Sequence, residues 1–189
     1  MTSPYFFGYG SLVNSATHSH EGVEPATLTG WSRAWRRTRF RDISFLTAVP
    51  DSHASIAGIV APVPNSDWAA LDAREFAYYR AEVSRHVKVH GNPTWGQHVS
   101  VYAISEQDQE GGTEQTPILL SYLDVVVQGY HKVFGEQGVW DFVETTKGWD
   151  TPILNDRAAP LYPRAQTLSA FEVHLSDAVV SHTNARLII

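Results

Sequence analysis

Tyr5-Phe6-Phe7-Gly8-Tyr9-Gly10-Ser11-Leu12 is the stretch from which the rest of the chain is read. Its first half is aromatic and apolar, with strand propensity. It then breaks at Gly8-Tyr9-Gly10-Ser11. Two glycines astride a tyrosine allow backbone angles that side chains resist. A strand ending in Gly-x-Gly-Ser can aim several backbone N–H groups at one point, a concavity suited to carboxylate or phosphate oxygens. The plainer alternative is a tight turn after a first strand. A second stretch, residues 71–80, bears on the choice.

Outward from the turn, residues 14–25 are polar and read as a loop or short helix. Residues 26–41, 43–49 and 55–63 are rich in β-branched and aromatic types, with Gly, Asp-Ser and Pro between them, and suggest consecutive antiparallel strands. Pro64-Asn65-Ser66-Asp67 looks like a helix start, and the spacing predicts a helix over 67–79. Trp68, Leu71, Tyr78 and Tyr79 share one face of that helix, and Glu75 falls near the middle of it. A carboxylate on an apolar face is expensive to bury without a partner.

Residues 80–89 and 97–103 read as two more strands, joined by the turn His90-Gly91-Asn92-Pro93. Residues 105–116 form a polar loop. Pro117 suits the first turn of a helix over 118–134, which Gly135 ends, and a shorter helix follows over 137–146. From Trp149 onward Pro152, Pro160 and Pro163 break any long element, and 170–175 reads as a strand. The expected organisation is one domain over 1–148 with a C-terminal extension, 149–189, packed on it.

The 189 residues suffice for a real core, and 43% hydrophobic against 18% charged content is that of an ordinary globular chain. No apolar run reaches membrane-spanning length, and the N-terminus lacks a basic region followed by an apolar one. The absence of cysteine excludes disulfides and thiolate metal sites. A cytoplasmic location is the default expectation, with no membrane partner. The net charge of −6 argues against nucleic acid as a partner. Five of the 14 Lys and Arg residues nevertheless cluster at Arg33, Arg36, Arg37, Arg39 and Arg41, interleaved with Trp35 and Phe40. A partly solvated strand whose long side chains cover aromatics accounts for this, and one of the arginines could face an anionic substrate. The sequence is silent on oligomeric state.

Glu75 has two readings. It pairs with an arginine, for example one of residues 33–41, or reaches solvent. Alternatively it is a general acid/base: desolvation among aromatics raises a carboxyl above its reference of about 4.3, and a group tuned toward neutrality can take and return a proton. The Gly-rich turn would hold the substrate and Glu75 would move protons.

FGYGSL at 7–12, then a strand-rich region, then Leu71-Asp72-Ala73-Arg74-Glu75 resembles the γ-glutamylcyclotransferase-like superfamily, with its Tyr-Gly-Ser turn and Leu-Asp-x-x-Glu helix signature. Ser121-Tyr122-Leu123 is a looser third likeness. The wording of the turn is closer to the glutathione-acting, ChaC-type branch than to the branch with Tyr-Gly-Ser-Asn. The resemblance covers roughly residues 5–135. It implies an α+β fold, a small mixed β-barrel flanked by helices. The implied activity is cyclisation of a γ-glutamyl compound to 5-oxoproline with release of an amine or amino acid. Glu75 would then be catalytic, Phe7, Gly8, Tyr9, Gly10, Ser11, Leu12 and Tyr122 would bind substrate, and no cofactor or metal would be needed.

Rival motifs are weaker. Gly8-Tyr9-Gly10 lacks the third glycine of a dinucleotide fingerprint, since Val13 stands there. His18-Ser19-His20 and His86-x-x-x-His90, the latter on one face of an expected strand, would need further ligands from distant loops to hold a metal. Ser11 does not sit in a Gly-x-Ser-x-Gly elbow. The alternative from a different class is a non-catalytic module that binds a γ-glutamyl or other small acidic ligand. Asp156 and Arg157 belong either to a lid or to a salt-bridged loop.

Overall fold

Tyr5–Gly8 forms β1, and its two neighbours define the sheet. It lies antiparallel to β3 (Arg41–Pro62) and parallel to β6 (Val99–Ala103). The computed structural model describes residues 4–38, 41–75, 78–91 and 97–189. Beyond β3 comes β2 (Glu24–Thr38), with β5 (Val87–Val89) and β8 (Thr146–Lys147) both on its far edge. Beyond β6 comes β4 (Tyr79–Glu82). The result is a curled, mixed sheet of half-barrel form with helices against it, an α+β fold as the sequence suggests.

The two strands expected over 43–49 and 55–63 are one. Both flanks pair with β2, and between the pairs Thr29–Ser55 and Trp31–Pro50 the longer β3 bulges. Pro50-Asp51-Ser52, which reads locally as a turn, is absorbed as that bulge because β2 continues alongside. The strand expected over 80–89 is two, β4 and β5, divided by a 3-10 turn at Ser84–His86 and paired to opposite edges of the sheet. Of the turn expected at 90–93, Asn92 and Pro93 lie outside the described residues.

Three helices complete the described chain. The helix expected over 67–79 is only α1, Ala69–Arg74. Phe76 and Ala77 of that expectation lie outside the described residues. A two-residue strand, β7 (Ile118–Leu119), precedes α2 (Leu120–Glu144), so Pro117 opens a strand and not a helix. Its carbonyl accepts from the Ser44 amide at 2.9 Å. Gly135 interrupts α2 with φ 71° and ψ −173°, the break expected there.

The strand expected over 170–175 is instead the start of α3, Ala170–Thr183. Ser169 and Glu172 form a reciprocal capping box at its N-terminus, which satisfies amides that a strand would have to pair elsewhere. Leu175 and Val179, one turn apart, are buried in the core. A second, parallel sheet joins β7 to β9 (Ile153–Leu154) and β10 (Leu187–Ile188). The core between sheet and α2 contains Phe6, Trp35, Ile59, Tyr130 and Phe142, all fully buried. Among the described residues, no helix is long and apolar enough to cross a membrane.

Candidate functional site

Beyond Gly8 the chain leaves the sheet in a 3-10 turn, Ser11–Val13. Val13 and Asn14 donate to the carbonyls of Gly10 (3.0 Å) and Ser11 (3.1 Å). Of the amides ahead of them, that of Ser11 faces the Tyr122 hydroxyl. Asn14, fully buried, fixes the turn to α2. Its Nδ2 donates to the Val125 carbonyl (3.0 Å) and to Gln128 Oε1 (2.8 Å), while its Oδ1 accepts from the Ala16 amide (3.1 Å). Gly129 permits this approach: a Cβ there would lie 2.8 Å from the Asn14 backbone. Asn14 was legible only as part of a polar loop.

Tyr9 holds the other side of the turn. Its hydroxyl donates to the Tyr102 carbonyl at 2.6 Å, so the side chain is an anchor and the residue offers the site its backbone. The Tyr9 carbonyl faces the Tyr130 hydroxyl at 2.9 Å. Behind Tyr130 lies Arg33, fully buried. Arg33 donates to the Tyr130 hydroxyl, to the Ala57 carbonyl (3.0 Å) and to Thr145 Oγ1 (2.7 Å), and stacks on Phe142 at 4.8 Å. Burial pushes the Tyr130 hydroxyl up to about 12, with Arg33 opposing. The sequence marked Arg33 as partly solvated or substrate-facing; it is instead a core cation beneath the turn.

Glu75 reaches the same place from α1. The helix stops at Arg74, and Glu75 is its C-cap with φ −93° and ψ 37°. It therefore does not sit in the middle of an aromatic helix face. The helix is short because the next residues are drawn elsewhere: the Tyr78 hydroxyl donates to the Leu46 carbonyl (2.8 Å) and Tyr79 pairs with Ala103. Leu71 seats α1 in the core. Asp72 accepts from the Tyr102 hydroxyl (2.6 Å) and pairs with Arg80 (3.0 Å). Glu75 Oε1 pairs with Arg74 Nε at 3.1 Å, and 19% of the Glu75 side chain is accessible. Tyr9, Tyr102 and Tyr122 line the cleft beside Glu75 and feel its charge. Burial is the main cause that holds all three well above the ordinary tyrosine range, and the charge of Glu75 adds to it.

These groups line one cleft. Phe7, Gly8, Tyr9, Gly10, Ser11, Leu12, Glu75 and Tyr122, the residues singled out in the sequence, all contribute, together with Leu46, Tyr78 and Tyr102. Tyr122 closes it from α2. A Cβ on Gly10 would lie 2.7 Å from its hydroxyl, so glycine is what lets the two meet. The cleft continues outward to Phe45, Arg74, Tyr162 and Arg164. Sequence reasoning missed these four, because two come from a neighbouring strand and helix end and two from the distant C-terminal segment.

That segment is a salt-bridged loop. Asp156 accepts from Ser121 N (2.8 Å), Ser121 Oγ (2.5 Å) and Leu161 N (2.9 Å), capping α2 from outside the helix. Arg157 binds Asp124 through Nε (2.8 Å) and Nη2 (2.9 Å) and reaches Asp177 at 2.8 Å.

The histidine pairs serve the scaffold. His18 Nε2 is 3.0 Å from the Leu12 carbonyl, and its Nδ1 accepts from the His20 amide (3.1 Å). His86 ends a 3-10 turn, not a strand face, and His90 Nε2 is 2.8 Å from Thr27 Oγ1. Among the described residues, no group of three or more His, Asp or Glu is placed to hold a metal.

Against known proteins, the family model described as "Gamma-glutamyl cyclotransferase, AIG2-like" matches residues 6–119. No curated protein sequence matches. Among solved structures, YkqA from Bacillus subtilis is 20% identical with a TM-score of 0.55, over 78% of this chain and 57% of that one. The chain thus spans little more than half the length of YkqA. A structure described as a γ-glutamyl cyclotransferase is 14% identical with a TM-score of 0.57, over 93% of this chain and 99% of that one. An uncharacterized protein from Homo sapiens is 14% identical with a TM-score of 0.59, over 94% and 99%. These three likenesses show a shared fold. The family match runs over more than half the chain, from β1 through α1 to β7, and with it the chain belongs to the γ-glutamyl cyclotransferase, AIG2-like family.

Proposed function

We infer that the cleft cyclises a γ-glutamyl compound to 5-oxoproline and releases an amine or amino acid. The observation that carries this reading is the meeting of Glu75 with the turn at 8–12 in one concavity. Backbone N–H groups of Gly10, Ser11 and Leu12 hold the α-carboxylate or the developing oxyanion. The substrate lies curled, so its α-amino nitrogen attacks its own γ-carbonyl carbon and positioning supplies much of the rate. The new C–N bond closes the lactam and the old amide C–N bond breaks. Two protons leave the attacking nitrogen and two arrive on the departing one, and Glu75 carries them one at a time. No water is consumed. The Tyr122 hydroxyl, kept protonated chiefly by its burial, is a hydrogen-bond donor for the carbonyl oxygen.

The test is 5-oxoproline release from a panel of γ-glutamyl amines, γ-glutamyl amino acids and glutathione, with wild type beside Glu75→Gln. The swap keeps size and removes the ionisable proton. We expect release by wild type and a loss of roughly a hundredfold or more in the variant. No release from any compound by a protein that still binds one of them would favour the non-catalytic binding module. Equal release by both proteins would make Glu75 structural.

A further inference from the structure

We propose that the C-terminal segment 156–166 builds a subsite for the released amine, and that Arg164 selects there for an amine bearing a carboxylate. The proposal rests on the γ-glutamyl reading of the inner cleft. With the glutamyl end on the turn and the scissile amide at Glu75, whatever lies beyond the amide must occupy the outer cleft. Ser11, Glu75, Tyr78 and Tyr122 line both parts, so the two are continuous.

The outer wall is built. The Tyr162 ring packs edge-on against Tyr122 with centroids 5.0 Å apart. The Tyr162 amide donates to Ser121 Oγ (3.3 Å), and Ser121 is held in turn by Asp156. The Ala165 amide donates to the Tyr162 carbonyl (3.0 Å), closing a turn over Pro163 and Arg164. Gln166 Nε2 reaches the Arg164 carbonyl (3.0 Å) and the Ala16 carbonyl (3.4 Å). The backbone that carries Arg164 is thereby tied to α2 and to the N-terminal loop. Its guanidinium has no hydrogen bond or ion pair with any described residue.

Charge gives the ligand class. Among the described residues, the outer cleft holds Arg74, Glu75 and Arg164 as its readily charged groups. Arg74 and Glu75 pair at 3.1 Å and offset each other, so that among the described residues the positive charge of Arg164 is left over. Asp67, on the adjoining hollow that Arg164 also lines, accepts from the Ala69 amide at 2.8 Å. One free guanidinium matches one carboxylate, the charge an amino acid or short peptide carries when joined through its nitrogen. A second ammonium, as on a diamine or a lysine side chain, is repelled.

The test compares γ-glutamyl-L-alanine with γ-glutamylethylamide, which differ by the carboxylate alone. Wild type, Arg164→Gln and Arg164→Lys are assayed for 5-oxoproline release. We expect wild type to favour the alanine compound roughly tenfold in kcat/KM, mostly through KM. Arg164→Gln should bring that ratio to within about threefold of unity, and Arg164→Lys should restore part of it. Added salt should narrow the wild-type preference, since Arg164 is exposed. A ratio unmoved by Arg164→Gln, or a wild-type preference for the ethylamide, would overturn the proposal. If neither compound yields 5-oxoproline, the reaction reading fails. Calorimetric binding of the same two ligands to wild type and Arg164→Gln then decides the subsite by the same ratio.

Discussion

The turn at 8–12 and the segment at 156–166 line one cleft, yet they are held by different means. The turn is fixed by backbone constraint and burial. Tyr9 and Asn14 lock into the core on either side of it, and its glycines let side chains approach more closely than a Cβ would allow. The C-terminal wall is hung on α2 through Asp156 and Ser121, and its cleft-lining side chains, Tyr162 and Arg164, stay partly or largely accessible. A wall of the first kind sets the geometry of reacting atoms, which must be held to a fraction of an ångström. A wall of the second kind tolerates adjustment and suits discrimination among the groups that leave.

The largest effect should follow from breaking the first wall. Gly10→Ala puts a methyl 2.7 Å from the Tyr122 hydroxyl and next to Leu46, so the turn or Tyr122 must move. We expect kcat/KM for 5-oxoproline release to fall roughly a hundredfold, by the cost of a misplacement near 1 Å. The alanine and ethylamide compounds should suffer alike. Gly111→Ala, where a Cβ meets nothing within 4 Å, is the control and should be neutral. A Gly10→Ala protein with normal turnover would show that the turn does not set the reacting geometry.

Breaking the second wall should cost less and act differently. Asp156→Asn removes a buried carboxylate that accepts from Ser121 N, Ser121 Oγ and Leu161 N. Charge-assisted hydrogen bonds of this kind contribute on the order of 1–3 kcal/mol, read here as unfolding free energy in denaturant. We expect the wall to loosen with it, so that the preference for the carboxylated substrate falls while turnover of the ethylamide changes little. Equal loss for both substrates would mean that the segment supports the reacting geometry and not the choice of amine.

The same contrast explains what the sequence disclosed. β1 and its turn were readable because their causes are local: an aromatic run, then glycines that permit the close approach of Leu12 and Tyr122. The role of the 71–75 motif as a contributor to the cleft was readable, but its shape was not. Local spacing favoured a long helix, and it is Tyr78 and Tyr79, drawn to Leu46 and Ala103, that end it at Arg74. The division of β3 failed for the same reason, since only the continuity of β2 turns an apparent loop into a bulge. The strand reading of 170–175 passed over Ser169-x-x-Glu172, whose spacing is that of the capping box that opens α3. Tyr162 lies 40 positions beyond Tyr122 and meets it through Asp156, a contact with no local signature.

The smallest effect concerns how the turn is buttressed from outside, and it is set by pH. His18 accepts from the His20 amide at Nδ1 and faces the Leu12 carbonyl with Nε2. Those partners assign the neutral tautomer with its proton on Nε2. Protonation at Nδ1 would set two donors against each other. Burial, with Arg74 adding to it, holds the pKa of His18 below its ordinary value of 6.5, and burial, then His18, does the same for His20. The sign follows: the unfolded chain binds these protons more readily, so stability is complete above pH 6.5 and declines as pH falls from there through the lowered folded values. Both rings are partly accessible, so the decline should stay under about 1 kcal/mol after screening. Thermal melts between pH 5 and 7 should show a shallower slope in His18→Gln than in wild type. A His18 ring that titrates at or above 6.5 by NMR would contradict the neutral, doubly bonded ring and remove this support from the turn.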